Sequence, residues 1–270
     1  MTHSIQLIAP RGNTISITAC GTGRTVILLH GFPLDSRMWQ KQLTALEDRF
    51  HVLAIDMRGF GGSTLDEQVY SIADLASDVD IVRQHLASNE PIVLVGLSMG
   101  GYVALEYYRC FGKHLAGLVL ANTKPQSDTD AAKLGRLKMA DEALQQGTWA
   151  AVAAMLPRLL ADNTLVNDAT TTQFVELMMR SVRPATIWAA QHAMANRNDF
   201  TSSLKTIRVP TLVVTGQLDP ISTPENNASW SQQISEARLH VIPGVGHLPP
   251  LESPDEFNTI LIEFLNSVLG

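Results

Sequence analysis

Short, continuous apolar runs recur along this chain, and segments with helical spacing separate them. The runs are rich in Val, Ile and Leu, which is typical of parallel strands buried on both faces. Four of them are Thr25–Gly31, His51–Gly59, Ile92–Ser98 and Leu115–Thr123. Because strand and helix alternate, the chain predicts right-handed βαβ units. We therefore expect an α/β fold with a mostly parallel central sheet and helices on both faces.

The alternation follows an antiparallel hairpin and lapses in the middle of the chain. Near the start, "SIQLIAP" and "TISITACG" flank the turn "RGN". Residues 124–200 contain several helical patterns and no convincing strand, and "VPTLVVTGQLD" and "ARLHVIPGVGH" then restore the strand pattern. We expect one core domain formed by residues 1–123 and 201–270, with residues 124–200 inserted as a helical cap.

Several helix starts carry recognisable capping residues. Ser71 is followed three residues later by Asp74, which favours a capped start for the helix predicted up to residue 86. Thr223-Pro224 and Ser253-Pro254 each combine an N-cap residue with proline at the first helical position. Glu256 stands at the capping-box position after Ser253, so we expect a capping box there.

Charge and composition exclude several classes of function. The 270 residues carry a formal net charge of −6 with no basic stripe, so we expect no nucleic acid and no anionic lipid as partner. No apolar run approaches the roughly 20 residues that span a bilayer, and the first residues lack a signal-peptide pattern. The two cysteines provide neither a metal set nor a disulfide framework. We expect a cytoplasmic protein.

The stretch "IVLVGLSMGG" places a serine between a buried strand and a helix. Gly96-Leu97-Ser98-Met99-Gly100 matches G-x-S-x-G, in which a sharp strand-to-helix turn exposes the serine hydroxyl. The small residues at 96 and 100 let strand and helix approach each other. The helix that starts at Met99 directs its positive end toward the hydroxyl, where developing negative charge is favoured. This context predicts Ser98 as a nucleophile that requires a base.

The base and its partner acid are expected after the serine, in the order acid and then histidine. "LVVTGQLDP" places Asp219 just beyond a predicted strand, and "VIPGVGHLPPLESP" places His247 in a loop beyond the last strand. Parallel strands carry such residues to the same edge of the sheet as the serine. We predict His247 as the general base and Asp219 as the carboxylate that orients it.

An alternative position for the acid lies after the strand that follows the serine. That strand ends in "LVLANT", and neither Asn122 nor Thr123 can carry the negative charge that stabilises an imidazolium. Asp128 and Asp130 follow a few residues later, and we expect both to be solvated. Asp219 is therefore the preferred acid.

The loop "LLHGFPLD" ends the first parallel strand and is expected to face the serine. In sites of this type the oxyanion hole pairs the N–H after the serine with an N–H from this loop. That assigns the backbone N–H groups of Phe32 and Met99 as donors. His30 is interpreted as structural, and none of the other unassigned histidines has metal-ligand spacing. We expect no metal and no cofactor.

With these residues in place, the chain resembles the α/β-hydrolase fold superfamily over essentially its full length. "HGFPLDSRMW", "DMRGFGGS", "GLSMGGYVALEYY", "GQLDPISTP" and "GVGHLPPLESPDEF" match its landmarks in order. "GLSMGG" with "HGFPLD" is most similar to the group of 3-oxoadipate enol-lactonases, small bacterial carboxylesterases and cofactor-free perhydrolases (non-haem haloperoxidases). The resemblance implies the α/β-hydrolase fold, with Ser98 as nucleophile, His247 as base and Asp219 as its partner.

Three functions are compatible with these residues. The preferred one is a serine hydrolase that cleaves small-molecule carboxylic esters or lactones through an acyl-enzyme on Ser98. The first alternative is a perhydrolase that uses the same three side chains with peroxide. The second is a ligand-binding receptor on a hydrolase scaffold. Aspartate-nucleophile members of the superfamily, such as haloalkane dehalogenases, are disfavoured because a serine stands at the nucleophile position.

The inserted segment offers candidates for the substrate pocket. Methionine and tryptophan side chains could line an apolar site, although most are expected to pack the cap onto the core. They are Met139, Met155, Met178, Met179, Met194, Trp149 and Trp188. No cluster of Arg or Lys is visible, which weighs against a dicarboxylate-type lactone, while Arg158, Arg180 and Arg183 remain within reach of the site.

Overall fold

The computed structural model describes residues 2–10, 12–65, 69–87 and 90–270, and its centre is one eight-stranded sheet. The strands are β1 His3–Ile8, β2 Thr14–Cys20, β3 Thr25–Leu29, β4 His51–Asp56, β5 Ile92–Leu97, β6 Leu115–Ala121, β7 Thr211–Gly216 and β8 Ala237–Ile242. Their order across the sheet is β1-β2-β4-β3-β5-β6-β7-β8. All four apolar runs of the first half and both runs of the second half form strands, as predicted.

Strand directions also agree with the prediction of a mostly parallel sheet. β1 pairs antiparallel with β2 as a hairpin, and β2 pairs antiparallel with β4. Every other neighbouring pair is parallel, including β3 with β5 and β5 with β6. The carboxyl ends of the parallel strands therefore meet at one edge of the sheet, where ligand sites of such folds lie.

Eleven α-helices are present in the described residues. They are α1 Gln40–Leu46, α2 Ile72–Leu86, α3 Met99–Phe111, α4 Asp130–Gln146, α5 Trp149–Leu159, α6 Asp162–Asn167, α7 Ala169–Ser181, α8 Pro184–Ala195, α9 Pro224–Ser231, α10 Pro249–Glu252 and α11 Pro254–Leu269. Within the described residues none of these helices is both long and apolar enough to cross a bilayer.

Two of the three predicted helix caps form. At α2 the Ser71 side chain accepts from the Asp74 N–H while the Asp74 carboxylate accepts from the Ser71 N–H, which completes the capping box. Thr223 caps α9. The capping box predicted at Ser253 is wrong: its hydroxyl makes no cap hydrogen bond and points to the Glu256 carboxylate. The reason is helix α10, because the Ser253 N–H already donates to the Pro249 carbonyl.

Helices cover both faces of the sheet because successive side chains of each buried strand point to opposite sides. On β3, Ile27 and Leu29 belong to the apolar cluster formed with α2 and α3. Val26 and Leu28 belong to the second cluster, which α1 and α11 complete. This two-sided burial explains why the strands read as continuous apolar runs and not as alternating ones.

The segment between β6 and β7 carries five of the helices, α4 to α8, and no strand among its described residues. Specific hydrogen bonds connect it to the core. The Thr186 hydroxyl of α8 donates to the Gly59 carbonyl, and the His247 N–H donates to the Leu159 carbonyl at the end of α5. Within the segment, the Phe200 N–H donates to the Pro125 carbonyl and so joins its two ends. The helical content agrees with the predicted insertion, and the domain boundaries at 123 and 200 stay predictions.

Candidate active site

Ser98 lies on the sharp turn between β5 and α3. Its φ of 55° and ψ of −110° are unusual for a residue with a side chain and cost about 1–3 kcal/mol. Hydrogen bonds on both sides hold the turn in place. The Ser98 N–H donates to the Ala121 carbonyl at 2.9 Å, and the Thr123 hydroxyl donates to the Ser98 carbonyl at 2.8 Å. The hydroxyl is thereby held at the carboxyl edge of the sheet.

The close approach of strand and helix at this turn requires the two glycines of the motif. A Cβ on Gly96 would lie 2.3 Å from the carbonyl oxygen of Gly100. A Cβ on Gly100 would lie 2.4 Å from the carbonyl oxygen of Leu29. Both contacts are with backbone atoms, which cannot turn aside as a flexible side chain can. The G-x-S-x-G pattern is therefore a packing requirement of this turn.

His247 and Asp219 form a buried pair beside the serine turn. His247 Nδ1 lies 2.8 Å from Asp219 Oδ2, and both side chains are at most 1% exposed. Since the carboxylate accepts, this contact places a proton on Nδ1, so that in the neutral imidazole Nε2 is the nitrogen that can accept a proton. Within the described residues, Ser98 Oγ makes no hydrogen bond to Nε2, and such bonds are often long before substrate binds.

Asn122 is also part of this network. From the sequence it is only rejected as the catalytic acid, because an amide carries no negative charge, and its contact with Asp219 is not predicted. Its side-chain amide donates to Asp219 Oδ2 at 2.7 Å and approaches the Gly246 carbonyl at 3.3 Å. Asn122 follows β6 with a φ of 44°, a left-handed conformation that asparagine tolerates better than most residues. The sequence feature that could have indicated this role is the position of Asn122, directly after the strand that follows the serine.

The environment of Asp219 favours its ionised form. Burial raises the pKa of this carboxyl, but the charge of His247 and the hydrogen bonds from His247, Asn122 and the Ile221 N–H outweigh that effect. The Ile221 N–H donates to Oδ1 at 2.7 Å. The pKa of Asp219 therefore lies below its ordinary value, and the carboxylate carries the negative charge that an imidazolium needs.

The predicted oxyanion donors lie next to the serine. Phe32 lines the same cavity as Ser98, and Met99 is the first residue of α3. No hydrogen bond among the described residues uses the N–H of Phe32 or of Met99. A Cβ on Gly31 would meet the end of the Leu97 side chain at 2.8 Å and the Ser98 Cβ at 3.4 Å, so this loop packs closely against the serine turn.

His30 supports that loop from behind. Its Nε2 accepts from the Met57 N–H at 3.0 Å, and its Nδ1 donates to the Gly31 carbonyl at 3.0 Å. Burial lowers the pKa of His30, although the Gly31 hydrogen bond and the nearby carboxylates oppose that shift. A neutral imidazole satisfies both contacts, which agrees with the structural role expected from the sequence.

Glu252 connects the His247 loop to the inserted segment, and sequence reasoning missed it. One carboxylate oxygen accepts from the N–H groups of Gly246 and Leu248 at 2.9 and 3.2 Å. The other accepts from the Ala161 N–H and the Thr164 hydroxyl, each at 2.8 Å. One side chain thus holds the residues on both sides of His247 and the start of α6.

A cavity of about 350 Å³ opens in front of these groups, with Ser98, His247 and Phe32 in its wall. Three of the methionines considered from the sequence line it, namely Met139, Met155 and Met194. Met178 and Met179 are core residues, whereas Trp149 is 60% exposed. A larger cavity of about 560 Å³ lies at the end of α3 and contains none of the predicted site residues.

The charges around the cavity differ from the sequence expectation. Asp128 is buried, and the expectation that it is solvated is wrong because Arg136 and Arg197 pair with its carboxylate. Lys124, Arg136 and Arg158 all line the cavity. The sequence showed no basic cluster because these residues are far apart along the chain. No group of three metal-ligating side chains occurs among the described residues.

Comparisons with known proteins agree with this architecture. A family model described as "Alpha/beta hydrolase family" matches residues 26–260. An esterase from Thermogutta terrifontis, solved with malate bound, is 36% identical with a TM-score of 0.94, and each chain is covered completely. 3-Oxoadipate enol-lactonase 1 of Acinetobacter baylyi is 26% identical, covering 98% of both chains. A putative non-heme chloroperoxidase of Synechocystis is 26% identical, covering 91% of this chain and 92% of its own length.

Proposed function

This chain belongs to the alpha/beta hydrolase family, and we propose that it hydrolyses carboxylic esters or lactones with Ser98 as its nucleophile. His247 is the general base and then the general acid, and Asp219 orients it. The observation that carries the proposal is the buried 2.8 Å contact between His247 Nδ1 and Asp219 Oδ2, in the wall of the cavity that Ser98 also lines.

In the first half of the proposed reaction, His247 Nε2 takes the proton of Ser98 Oγ as Oγ bonds to the substrate carbonyl carbon. The carbonyl oxygen becomes an oxyanion, which accepts from the N–H groups of Phe32 and Met99. The positive end of α3 favours the same charge. His247 then gives its proton to the departing alkoxide as the C–O bond breaks, leaving an acyl group on Ser98.

In the second half, water replaces the alcohol. His247 takes a proton from the water, whose oxygen attacks the acyl carbon, and returns that proton to Ser98 Oγ as the acid leaves. Asp219 keeps the imidazole proton on Nδ1 and stabilises the imidazolium formed in each half. The depressed pKa of Asp219 supports this role, because the carboxylate stays ionised while the imidazole is charged.

The relatives support an ester or lactone as substrate, since they include proteins named as an esterase and an enol-lactonase. A cavity of about 350 Å³ suits a small molecule and lies at the lower end of the range for ligand pockets. Cys20 and Cys110 are both free thiols, which is in keeping with a reducing compartment such as the cytoplasm.

The test compares wild-type protein with Ser98→Ala on p-nitrophenyl butyrate. We expect wild-type turnover and a loss of more than about a thousandfold in the variant, because the nucleophile, base and acid act as a unit. Ser77→Ala, an exposed serine of α2 outside the cavity, is the matched control and keeps wild-type activity. Equal rates in wild type and Ser98→Ala would refute the proposed nucleophile.

Two further arms separate the alternatives. Incubation with acetate and hydrogen peroxide, assayed for peracetic acid, tests the perhydrolase hypothesis. That hypothesis requires the rate of peracid formation to exceed the rate of ester hydrolysis. Slow ester hydrolysis together with tight binding of a ligand by the wild-type protein would favour the hypothesis of a ligand-binding receptor.

A further inference from the structure

The cavity in front of Ser98 has an excess of positive charge. Three cationic side chains line it, Lys124, Arg136 and Arg158, against the one carboxylate of Asp128. The Asp219 carboxylate is buried behind His247 and is not part of the lining. A neutral ester gains nothing from such a wall, whereas an anionic ligand does.

Part of this charge is already neutralised within the protein, because Asp128 is shared between several cations. Asp128 pairs with Arg136 from the cavity side and with Arg197, whose Nη2 lies 2.8 Å from Oδ1. Lys124 Nζ lies 4.0 Å from the same oxygen. These contacts fix Asp128, Arg136 and Arg197 as one cluster and reduce what Lys124 and Arg136 can offer to a ligand.

Arg158 differs from the other two cations. Its side chain is exposed on α5, and no ion pair or hydrogen bond in the described part of the chain uses its guanidinium. A guanidinium presents two parallel N–H groups that match the two oxygens of a carboxylate. An unpaired arginine in the wall of a small cavity is therefore suited to a ligand carboxylate.

The backbone holds this arginine in a defined place relative to the base. The next residue, Leu159, accepts a hydrogen bond from the His247 N–H at 3.1 Å. Since adjacent Cα atoms are about 3.8 Å apart, the start of the Arg158 side chain is tied to the His247 loop. The Cα of Arg158 is thus fixed relative to His247, and the Arg158 side chain lines the same cavity.

We infer that Arg158 binds a free carboxylate of the substrate, so that the preferred substrate is a half-ester or lactone of a short dicarboxylic acid. This inference rests on the proposed function and names the substrate class of that site. The scissile carbonyl lies at Ser98 and the second carboxyl group at the Arg158 guanidinium, and the apolar chain between them passes methionines such as Met155.

The test uses a matched pair of esters at pH 7. 4-Nitrophenyl hydrogen glutarate carries the free carboxylate, and methyl 4-nitrophenyl glutarate has the same chain with that charge masked. We expect wild-type kcat/KM, followed by nitrophenolate release, to favour the half-ester at least tenfold. Arg158→Gln lowers this ratio at least tenfold, and Arg158→Lys lowers it less because a point charge remains.

Arg183→Gln is the matched control, since it removes the same charge from an exposed arginine of the inserted segment that does not line the cavity. In this variant we expect the ratio of kcat/KM for the half-ester to kcat/KM for the diester to stay within twofold of the wild-type ratio. A wild-type ratio of one or less, or equal falls in the Arg158 and Arg183 variants, overturns the inference while the hydrolase proposal stands.

A binding measurement covers the case in which neither ester is cleaved, which counts against the proposed function. Calorimetry then compares monomethyl glutarate with dimethyl glutarate on Ser98→Ala protein. Binding of the monoester at least tenfold more tightly, lost when Arg158→Gln is added, supports the carboxylate site independently of catalysis. Equal affinities for the two esters overturn it.

Discussion

The backbone N–H of His247 donates a 3.1 Å hydrogen bond to the carbonyl oxygen of Leu159, the last residue of helix α5. The proposed base is thus joined by main chain to the helical segment that forms the outer wall of the cavity. Glu252 strengthens the same junction through its contacts with Gly246 and Ala161. The position of the imidazole therefore depends on the seating of the inserted helices as well as on the sheet.

Glu252→Ala should weaken this junction. The change leaves four part-buried donors without their acceptor. An unsatisfied buried donor costs about 1–3 kcal/mol, and because water can replace the carboxylate at some of these partly exposed donors, we expect a total loss of about 2–4 kcal/mol in the free energy of unfolding. In a chain of this size that corresponds to a fall in Tm of about 4–10 °C. Ester hydrolysis falls as well, because His247 loses its support. Calorimetry and kcat on p-nitrophenyl butyrate measure both effects.

The control for this change is Glu256→Ala, which removes an exposed glutamate one turn further along. We expect its Tm to stay within about 1 °C of wild type, as for most surface substitutions. Equal shifts in the two variants would contradict the bracing role of Glu252.

Asn122→Asp should change the pH dependence of activity. The new carboxylate replaces an amide that donates to Asp219 Oδ2 at 2.7 Å, and two carboxylates so close cannot both ionise easily. The two neighbouring carboxyl groups therefore keep a shared proton to higher pH, and the acid limb of the kcat/KM profile moves to higher pH. At pH 6 we expect a loss of about tenfold or more, which corresponds to one hydrogen bond to a charged group.

Asn122→Gly separates loss of the donor from gain of charge. Glycine accepts the φ of 44° at this position without strain and adds no carboxylate. Its acid limb should move less than that of Asn122→Asp. Identical profiles for both variants and wild type would show that Asn122 does not influence the Asp219–His247 pair.

Gly100→Ala should disrupt the serine turn. The added Cβ would lie 2.4 Å from the Leu29 carbonyl oxygen and 2.9 Å from that of His30, so the backbone must move. We expect a loss of about 3 kcal/mol or more in the free energy of unfolding, or no soluble protein. Gly135→Ala in α4 is the control, since nothing lies within 4 Å of its Cβ position.

Gly135→Ala should instead raise the free energy of unfolding by about 0.5–1 kcal/mol, because alanine is the better helix residue. Urea unfolding of both variants measures the contrast. Similar stabilities for the two alanine variants would contradict the tight approach described at Gly100.

Asp128 should contribute stability that disappears in acid. Burial raises the pKa of this carboxyl, but the hydrogen bonds and charges of Arg197 and Arg136 lower it to about 2, from an ordinary value of 3.8. A group whose pKa is depressed by folding stabilises the protein above its ordinary pKa. That contribution, about 2 kcal/mol, is lost as the pH falls from about 4 to about 2.

Urea unfolding of wild type and Asp128→Asn at pH 7, 4 and 3 measures this dependence. We expect the variant to be less stable at pH 7, with the difference from wild type shrinking below pH 4. Asp130→Asn, at a neighbouring exposed carboxylate, should show no such change. A difference that stays constant from pH 7 to pH 3 would rule out the ion-pair cluster as its cause.

Much of the fold could be predicted because its signals are local. The run from Ile92 to Leu97 is apolar at every position since both faces of β5 are covered, and the glycines beside Ser98 record the contact between β5 and α3. Asp219 and His247 were recognisable because each follows a strand, in a fold that collects strand ends at one edge. Ser253 shows the limit of such signals, since a preceding short helix occupied its N–H.

By itself the sequence determined the sheet, the serine turn and the candidate acid and base, because burial, capping and turn geometry act over a few residues. Only the tertiary structure decided the partners that surround them. Asn122 reaches Asp219 across 97 positions, and Glu252 reaches Ala161 across 91. Arg158 lines the cavity because of where α5 packs in the fold. Such contacts depend on how whole elements are oriented against one another, and no short stretch of sequence encodes that orientation.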